Sequence, residues 1–312
     1  MSKPLRLLCF ATLVLFVIAC GPGAAAVKTP QNGPVPAATH PSTAEKPTLL
    51  TASAMPIPAV QAGTDVAKLE TGSKKISPQD GMTLLYIPEG SFQMGSKDGS
   101  IDDEKPAHTV YLDAFWIDQT DVTNAMYARC VSAGTCKPPK LSTSITRKSY
   151  YDNAQYADYP VIYIDWTQAD AYCKWAGRSL PSEAQWEKAA RGADGRTYPW
   201  GEGIDKTKAN YGENVGDTTK VNSYLDGASP YGALDMAGNV GQWLADWYDS
   251  TYYQNSPQNN PTGPTSGSSR VVRGGSWFTS VDSARSARRD GEDPSYSDNY
   301  LVGFRCSVRA AP

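Results

Sequence analysis

Histidine is nearly absent: the 312 residues contain two, His40 and His108. That scarcity excludes a metal site built from three imidazoles and leaves at most one histidine for acid–base work in the folded part, since His40 falls in a segment without core-forming residues. An excess of charge of one sign is also missing. The formal net charge is −3 with basic and acidic residues mixed along the chain, so capture of nucleic acid is not expected. Aromatic residues are lacking from Gly21 to Gln79, where Pro, Ala, Thr and Lys dominate. Such a composition cannot bury enough apolar surface to offset its ordering entropy, so residues 20–79 are predicted to form a disordered tether, with an end-to-end distance of roughly 40 Å.

Long apolar runs are few. Leu7–Ala19 is shorter than the roughly 20 residues that cross a bilayer, and no later run matches it. It follows Lys3 and Arg6 and precedes Cys20 and Gly21, the order of a basic region, an apolar region and a processing site, so residues 1–19 read as a signal peptide. Val17-Ile18-Ala19-Cys20 resembles the lipobox of bacterial lipoproteins. That resemblance implies a diacylglycerol on the Cys20 sulfur and a lipid bilayer as partner, in an exported protein of the bacterial cell envelope. Gly21 is not an acidic retention signal, which favours the outer membrane or the cell surface.

From residue 80 to 312 the composition changes abruptly, and all eight tryptophans fall between Trp116 and Trp277. About 230 residues suit one large domain. Three helices are expected. One runs from Asn124 to Ala133, one opens at Thr167 and ends at Gly177, and one follows the Ser182…Gln185 capping-box spacing to about Arg191. Leu84–Ile87, Thr109–Leu112 and Arg270–Arg273 read as strands among Gly, Pro, Asn and Asp turns. The class is α+β, with much irregular backbone.

Several segments carry a further signal: Ile87-Pro88-Glu89-Gly90-Ser91-Phe92-Gln93-Met94-Gly95, Asp121-Val122-Thr123-Asn124, Tyr172-Cys173-Lys174-Trp175-Ala176-Gly177, Leu180-Pro181-Ser182-Glu183-Ala184-Gln185-Trp186-Glu187, Tyr198-Pro199-Trp200-Gly201, Asp235-Met236-Ala237-Gly238-Asn239-Val240, Arg273-Gly274-Gly275-Ser276-Trp277 and Gly303-Phe304-Arg305-Cys306. Together and in this order they resemble the formylglycine-generating enzyme family, also called sulfatase-modifying factors. The resemblance implies an α+β fold related to C-type lectins, with little regular secondary structure and disulfide staples.

Members of that family that oxidise a peptide cysteine carry two cysteines just after the Gly-Gly-Ser-aromatic motif, five residues apart, whose soft thiolates suit Cu(I). Counting from Ser276 places Thr279 and Ala284 at those positions, so no catalytic pair and no copper are expected. Ser276 matches a family active-site serine, but Gly241 stands where an aromatic residue is expected. The histidine shortage argues equally against the related sulfoxide synthases with three-histidine iron sites, and His108 reads as structural.

Cys9 leaves with the signal and Cys20 takes the lipid, so Cys130, Cys136, Cys173 and Cys306 remain, an even number in an oxidising compartment with three possible pairings. By resemblance Cys173 pairs with Cys306, which leaves Cys130 for Cys136. A second family disulfide would require cysteines at Ala190 and Arg289, so both members are absent together. The resemblance also implies structural calcium. One set is Asp235, Gly238, Val240 and Gln242, with Gln242 in place of a glutamate; the other is Asn210, Tyr211, Asp217 and Thr219.

The expected function is therefore a noncatalytic or divergent sulfatase-modifying-factor domain on a lipid tether. Its former substrate face, with Ser276, Trp277, Arg285 and Arg288, would bind a peptide, glycan or envelope protein. The alternatives are an oxidase that modifies an exported protein, such as a sulfatase, without paired cysteines, and a scaffold in an envelope complex.

Overall fold

The computed structural model describes residues 69–97 and 101–310; the signal segment, Cys20, His40 and most of the tether lie outside them. Among the described residues three short α-helices and ten strands carry the domain, and long connections with five single 3-10 turns make up the rest. The strands are β1 (Lys74–Ile76), β2 (Thr83–Ile87), β3 (Gly90–Met94), β4 (His108–Leu112), β5 (Phe115–Asp118), β6 (Gly241–Trp247), β7 (Arg270–Arg273), β8 (Asp290–Glu292), β9 (Val302–Phe304) and β10 (Ser307–Arg309). They form two four-stranded sheets, β1-β2-β5-β10 and β8-β7-β6-β9, and the hairpin β3-β4. All pairs are antiparallel except β6 with β9. One boundary moves: β1 lies in the segment assigned by composition to the tether, yet Lys74, Lys75 and Ile76 pair with Leu85, Leu84 and Thr83, so the domain starts before residue 80.

Each helix begins where a side chain can accept an orphan backbone N–H. Helix α1 (Asn124–Ser132) is capped by Thr123, which accepts from the Met126 N–H. Helix α2 (Trp166–Trp175) starts earlier than expected, because Asp165 is the cap and forms a reciprocal box with Gln168. The aspartate outcompetes Thr167 because its carboxylate accepts the Gln168 amide at 2.8 Å. Helix α3 (Glu183–Arg191) has the expected Ser182–Gln185 box.

One apolar cluster joins Val122, Tyr127, Tyr172, Trp243 and Phe304, so it links α1, α2 and β6. Another joins Leu85, Phe92, Val110, Trp186 and Val271 around α3. Two disulfides staple the chain: Cys130–Cys136, and Cys173–Cys306 across a sequence separation of 133. Ala190 and Arg289, the two positions without a second family disulfide, are both buried. Among the described residues no helix is long and apolar enough to cross a membrane.

Candidate functional site

Helix α3 buries all of its residues except Gln185, including Glu183, Glu187, Lys188 and Arg191. Buried charge is costly unless paired, and long-range partners supply the pairing. Arg273, at the end of β7, donates from Nη1 to Glu183 Oε1 and from Nη2 to Glu187 Oε2, both at 2.6 Å. Its Nη2 also donates to the Ser286 carbonyl at 2.6 Å. Arg289 donates to both Glu183 oxygens, from Nε at 2.7 Å and Nη2 at 2.9 Å. Burial works to raise the pKa values of Glu183 and Glu187, but the guanidinium groups outweigh it and hold both below the usual carboxylate range. Arg273 and Arg289 thus fix the two ends of the loop 274–288.

That loop carries the residues singled out by the sequence. Its tight start needs glycine: Gly275 has φ 66°, and a Cβ there would meet the Ser283 carbonyl oxygen and Thr279 Oγ1 at 2.8 Å. The Ser276 N–H donates to Thr279 Oγ1 at 2.8 Å, and the same hydroxyl donates back to the Ser276 carbonyl at 3.1 Å. Thr279 is therefore closed on Ser276, and Ala284 is fully buried beside Tyr198 and Ala237. Neither offers a soft donor, and all four cysteines of the described domain are in disulfides, so the residues present do not fit a thiolate-bound copper ion.

Ser276 and Trp277 are buried, whereas the next residue, Phe278, is 47% exposed. The Trp277 ring centre lies 5.6 Å from Phe278 and 6.1 Å from Tyr300, and Tyr300 lies 6.2 Å from Tyr163. Four aromatic side chains thus form a ribbon. Tyr163 is held at φ 59°, a left-handed conformation that costs a non-glycine residue on the order of 1–2 kcal/mol. The ribbon was not anticipated: Phe278 follows Trp277 directly, but nothing in the local pattern brings Tyr163 and Tyr300 to it.

The two arginines expected beside Trp277 are engaged elsewhere. Arg285 forms a two-pronged pair with Glu104 at 2.7 and 2.8 Å and also binds Asp282, and these pairings raise its pKa. Arg288 pairs with Asp290. Arg285 and Asp282 line a polar cavity of about 610 Å³ together with Lys97, Arg191 and Thr197; neither Ser276 nor Trp277 borders it. His108 rests edge-on against Tyr253 at 4.8 Å, with Nδ1 3.0 Å from the Pro106 carbonyl.

The calcium sets are placed close together, since the Asn239 N–H donates to the Asn210 carbonyl at 2.7 Å. In the first set Gln242 is spent: its Oε1 accepts from Trp186 Nε1 at 2.6 Å and from Arg305 Nε at 2.7 Å, and its Nε2 donates to the Asp235 carbonyl. A cation on that oxygen would sit against the Arg305 guanidinium, so Gln242 does not fit as a ligand. Asp235 keeps a buried carboxylate that accepts from the Asn222 N–H, and burial raises its pKa. In the second set the Asn210 Oδ1 is buried without a partner, while Asp217 pairs with Arg147. Among the described residues no group of three or more His, Cys, Asp or Glu is placed to hold a metal ion.

Residues 71–310 match the sulfatase-modifying factor enzyme 1-like domain. The chain belongs to that family. It is 32% identical to the formylglycine-generating enzyme of Streptomyces coelicolor over 305 aligned residues, covering 80% of this chain and 96% of that protein. It is 40% identical to the serine/threonine-protein kinase Pkn1 of Chlamydia trachomatis serovar L2, but spans only 40% of that protein's length. Among solved structures, PvdO from Pseudomonas aeruginosa superposes with a TM-score of 0.66 at 26% identity, covering 78% of this chain and all of that one. Treponema denticola variable protein 1 gives 0.64, also at 26% identity, with 76% and 99% covered. The α+β, disulfide-stapled architecture of the sulfatase-modifying factor family, related to C-type lectins, is thus the one this chain adopts.

Proposed function

We propose that this sulfatase-modifying factor domain binds a ligand rather than oxidising one, and that it is exported and displayed on a lipid anchor at Cys20. The observation that carries the reading is the pair Thr279 and Ala284, where copper-dependent members need thiolates: one side chain is hydrogen-bonded to its own loop and the other is fully buried. What the loop presents instead is Phe278, backed by Trp277 and Tyr300. An exposed ring packed edge-on against a buried tryptophan suits a peptide side chain or the apolar face of a sugar. Arg285 and Arg288 act as internal ties in this reading, because their charges are matched by Glu104, Asp282 and Asp290.

The second reading is an oxidase without paired cysteines, favoured by the likeness to the Streptomyces enzyme. One experiment separates them. The chain is incubated with a cysteine-containing sulfatase-type peptide, oxygen and copper, and the peptide is weighed. Unchanged mass, together with calorimetric binding of peptides or glycans that Phe278→Ala abolishes, supports the binding reading. Conversion of the cysteine to formylglycine sinks it.

A further inference from the structure

Asp217 is the one carboxylate of the second calcium set, and its surroundings decide whether a metal fits there. Oδ2 accepts from the Ser144 hydroxyl at 2.6 Å, the Thr146 hydroxyl at 2.6 Å and the Thr146 N–H at 3.0 Å. Oδ1 accepts from the Thr218 N–H at 2.7 Å and faces Arg147 Nη1 at 3.0 Å. A carboxylate offers about four lone-pair directions, and these contacts fill them. A calcium ion at roughly 2.3–2.6 Å would have to displace donors and stand beside a positive charge already in place.

Arg147 does more than neutralise Asp217. Its Nη1 donates to Thr218 Oγ1 at 3.0 Å and its Nη2 to the Thr218 carbonyl at 2.8 Å. The guanidinium carbon lies 5.6, 4.8 and 5.0 Å from the ring centres of Tyr150, Tyr156 and Tyr159, a favourable cation–π distance for each. The group draws a carboxylate and a backbone carbonyl to one positive centre, as a bound cation would, while fixing them to the tyrosine-rich segment 142–159. We propose that Arg147 is a built-in cation that replaces calcium at this position and holds the loop 210–219 without metal. The loop matters to the aromatic ribbon, because the Glu213 N–H donates to the Trp277 carbonyl at 2.7 Å and the Gly212 N–H to the Thr279 carbonyl at 2.9 Å. That support then persists in calcium-free surroundings.

Thermal unfolding of the full-length chain in EGTA and in excess calcium chloride tests the proposal, using wild type, Asp217→Asn, Arg147→Met and the double variant. The expected result is that Arg147→Met lowers Tm by about 5 °C, that the double variant falls no further than the worse single one, and that calcium acts equally on wild type and Asp217→Asn. An equal calcium shift in those two proteins places any bound metal away from Asp217 and supports the replacement. A calcium shift in wild type that Asp217→Asn removes overturns it, as does an unchanged Tm in Arg147→Met. Should Arg147→Met fail to fold, Arg147→Lys keeps a charge without the planar fork, and the wild-type and Asp217→Asn comparison still decides.

Discussion

The scaffold around α3 and the loop that leaves β7 meet at Arg273, yet they are built in different ways. Around α3 the contacts are charged, buried and long-range: Arg273 reaches back 90 positions to Glu183, and Arg289 reaches back 106. At the start of the loop, over residues 276–279, the side-chain hydrogen bonds are local and neutral, such as Thr279 with Ser276, beside an exposed ring at Phe278; the charged, long-range tie returns only further on, at Arg285. A frame held by mutually dependent charges cannot lose one member without stranding the others, whereas a locally bonded loop can exchange residues at little cost to its neighbours. That difference explains how the motifs of the fold persist here while the copper-binding pair is absent.

The comparison can be broken at its strongest point first. Replacing Cys173 and Cys306 by alanine releases a long loop and is expected to cost about 5 kcal/mol on the chain-entropy model, against about 2 for Cys130 and Cys136; urea unfolding of the two double variants measures the gap. Arg273→Met removes one of the two guanidinium partners from each of Glu183 and Glu187, leaving Arg289 and Arg191 to hold them, and should cost about 3 kcal/mol or more, or prevent folding, in the same assay. A loss below about 1 kcal/mol would contradict the claim that the frame depends on its charges.

Next comes pH. Burial, followed by the nearby Glu183 charge, pushes Asp246 up to about 8 from its ordinary 3.8. Between those values the unfolded carboxyl has ionised while the folded one still holds its proton, so the Asp246 contribution is greatest at low pH and is lost as pH rises toward 8. Asp246→Asn should therefore flatten the stability profile over that window by several kcal/mol, with about 6 kcal/mol as the upper bound at about 1.4 kcal/mol per pKa unit. Glu183 and Glu187 slope the other way, with stability lost as pH falls through their depressed values, so the comparison of variant with wild type is what isolates Asp246. The smallest expected effect is at Phe278: replacing this exposed ring by alanine should change stability by no more than about 0.5 kcal/mol while removing ligand binding. A large loss of stability would show that the ring belongs to the core after all.

How much of this was legible before the structure depended on the range of the interaction. Helix α3 was readable because its capping box lies within four residues, and α1 nearly to its last turn. Helix α2 was placed slightly late because threonine and aspartate both cap well, and only the geometry chose Asp165. Strand β1 was missed because Lys74 and Lys75 carry no apolar alternation, and it gains its place only through β2. The loop positions 276, 279 and 284 could be counted from the Gly-Gly-Ser motif. The partners of Arg285 and Arg147 could not, since Glu104 is 181 positions from Arg285 and Asp217 is remote from any motif that names Arg147.

The sheet β1-β2-β5-β10 has a consequence for how the chain is made. Its last strand, β10, pairs with β5, and the cysteine beside it closes the staple to α2. Residues 307–309 thus complete a sheet begun at residues 74–87, and that sheet cannot finish forming before they are available. The order of the strands along the chain thus delays the closing of this sheet, and of the disulfide beside it, to the last strand of the domain.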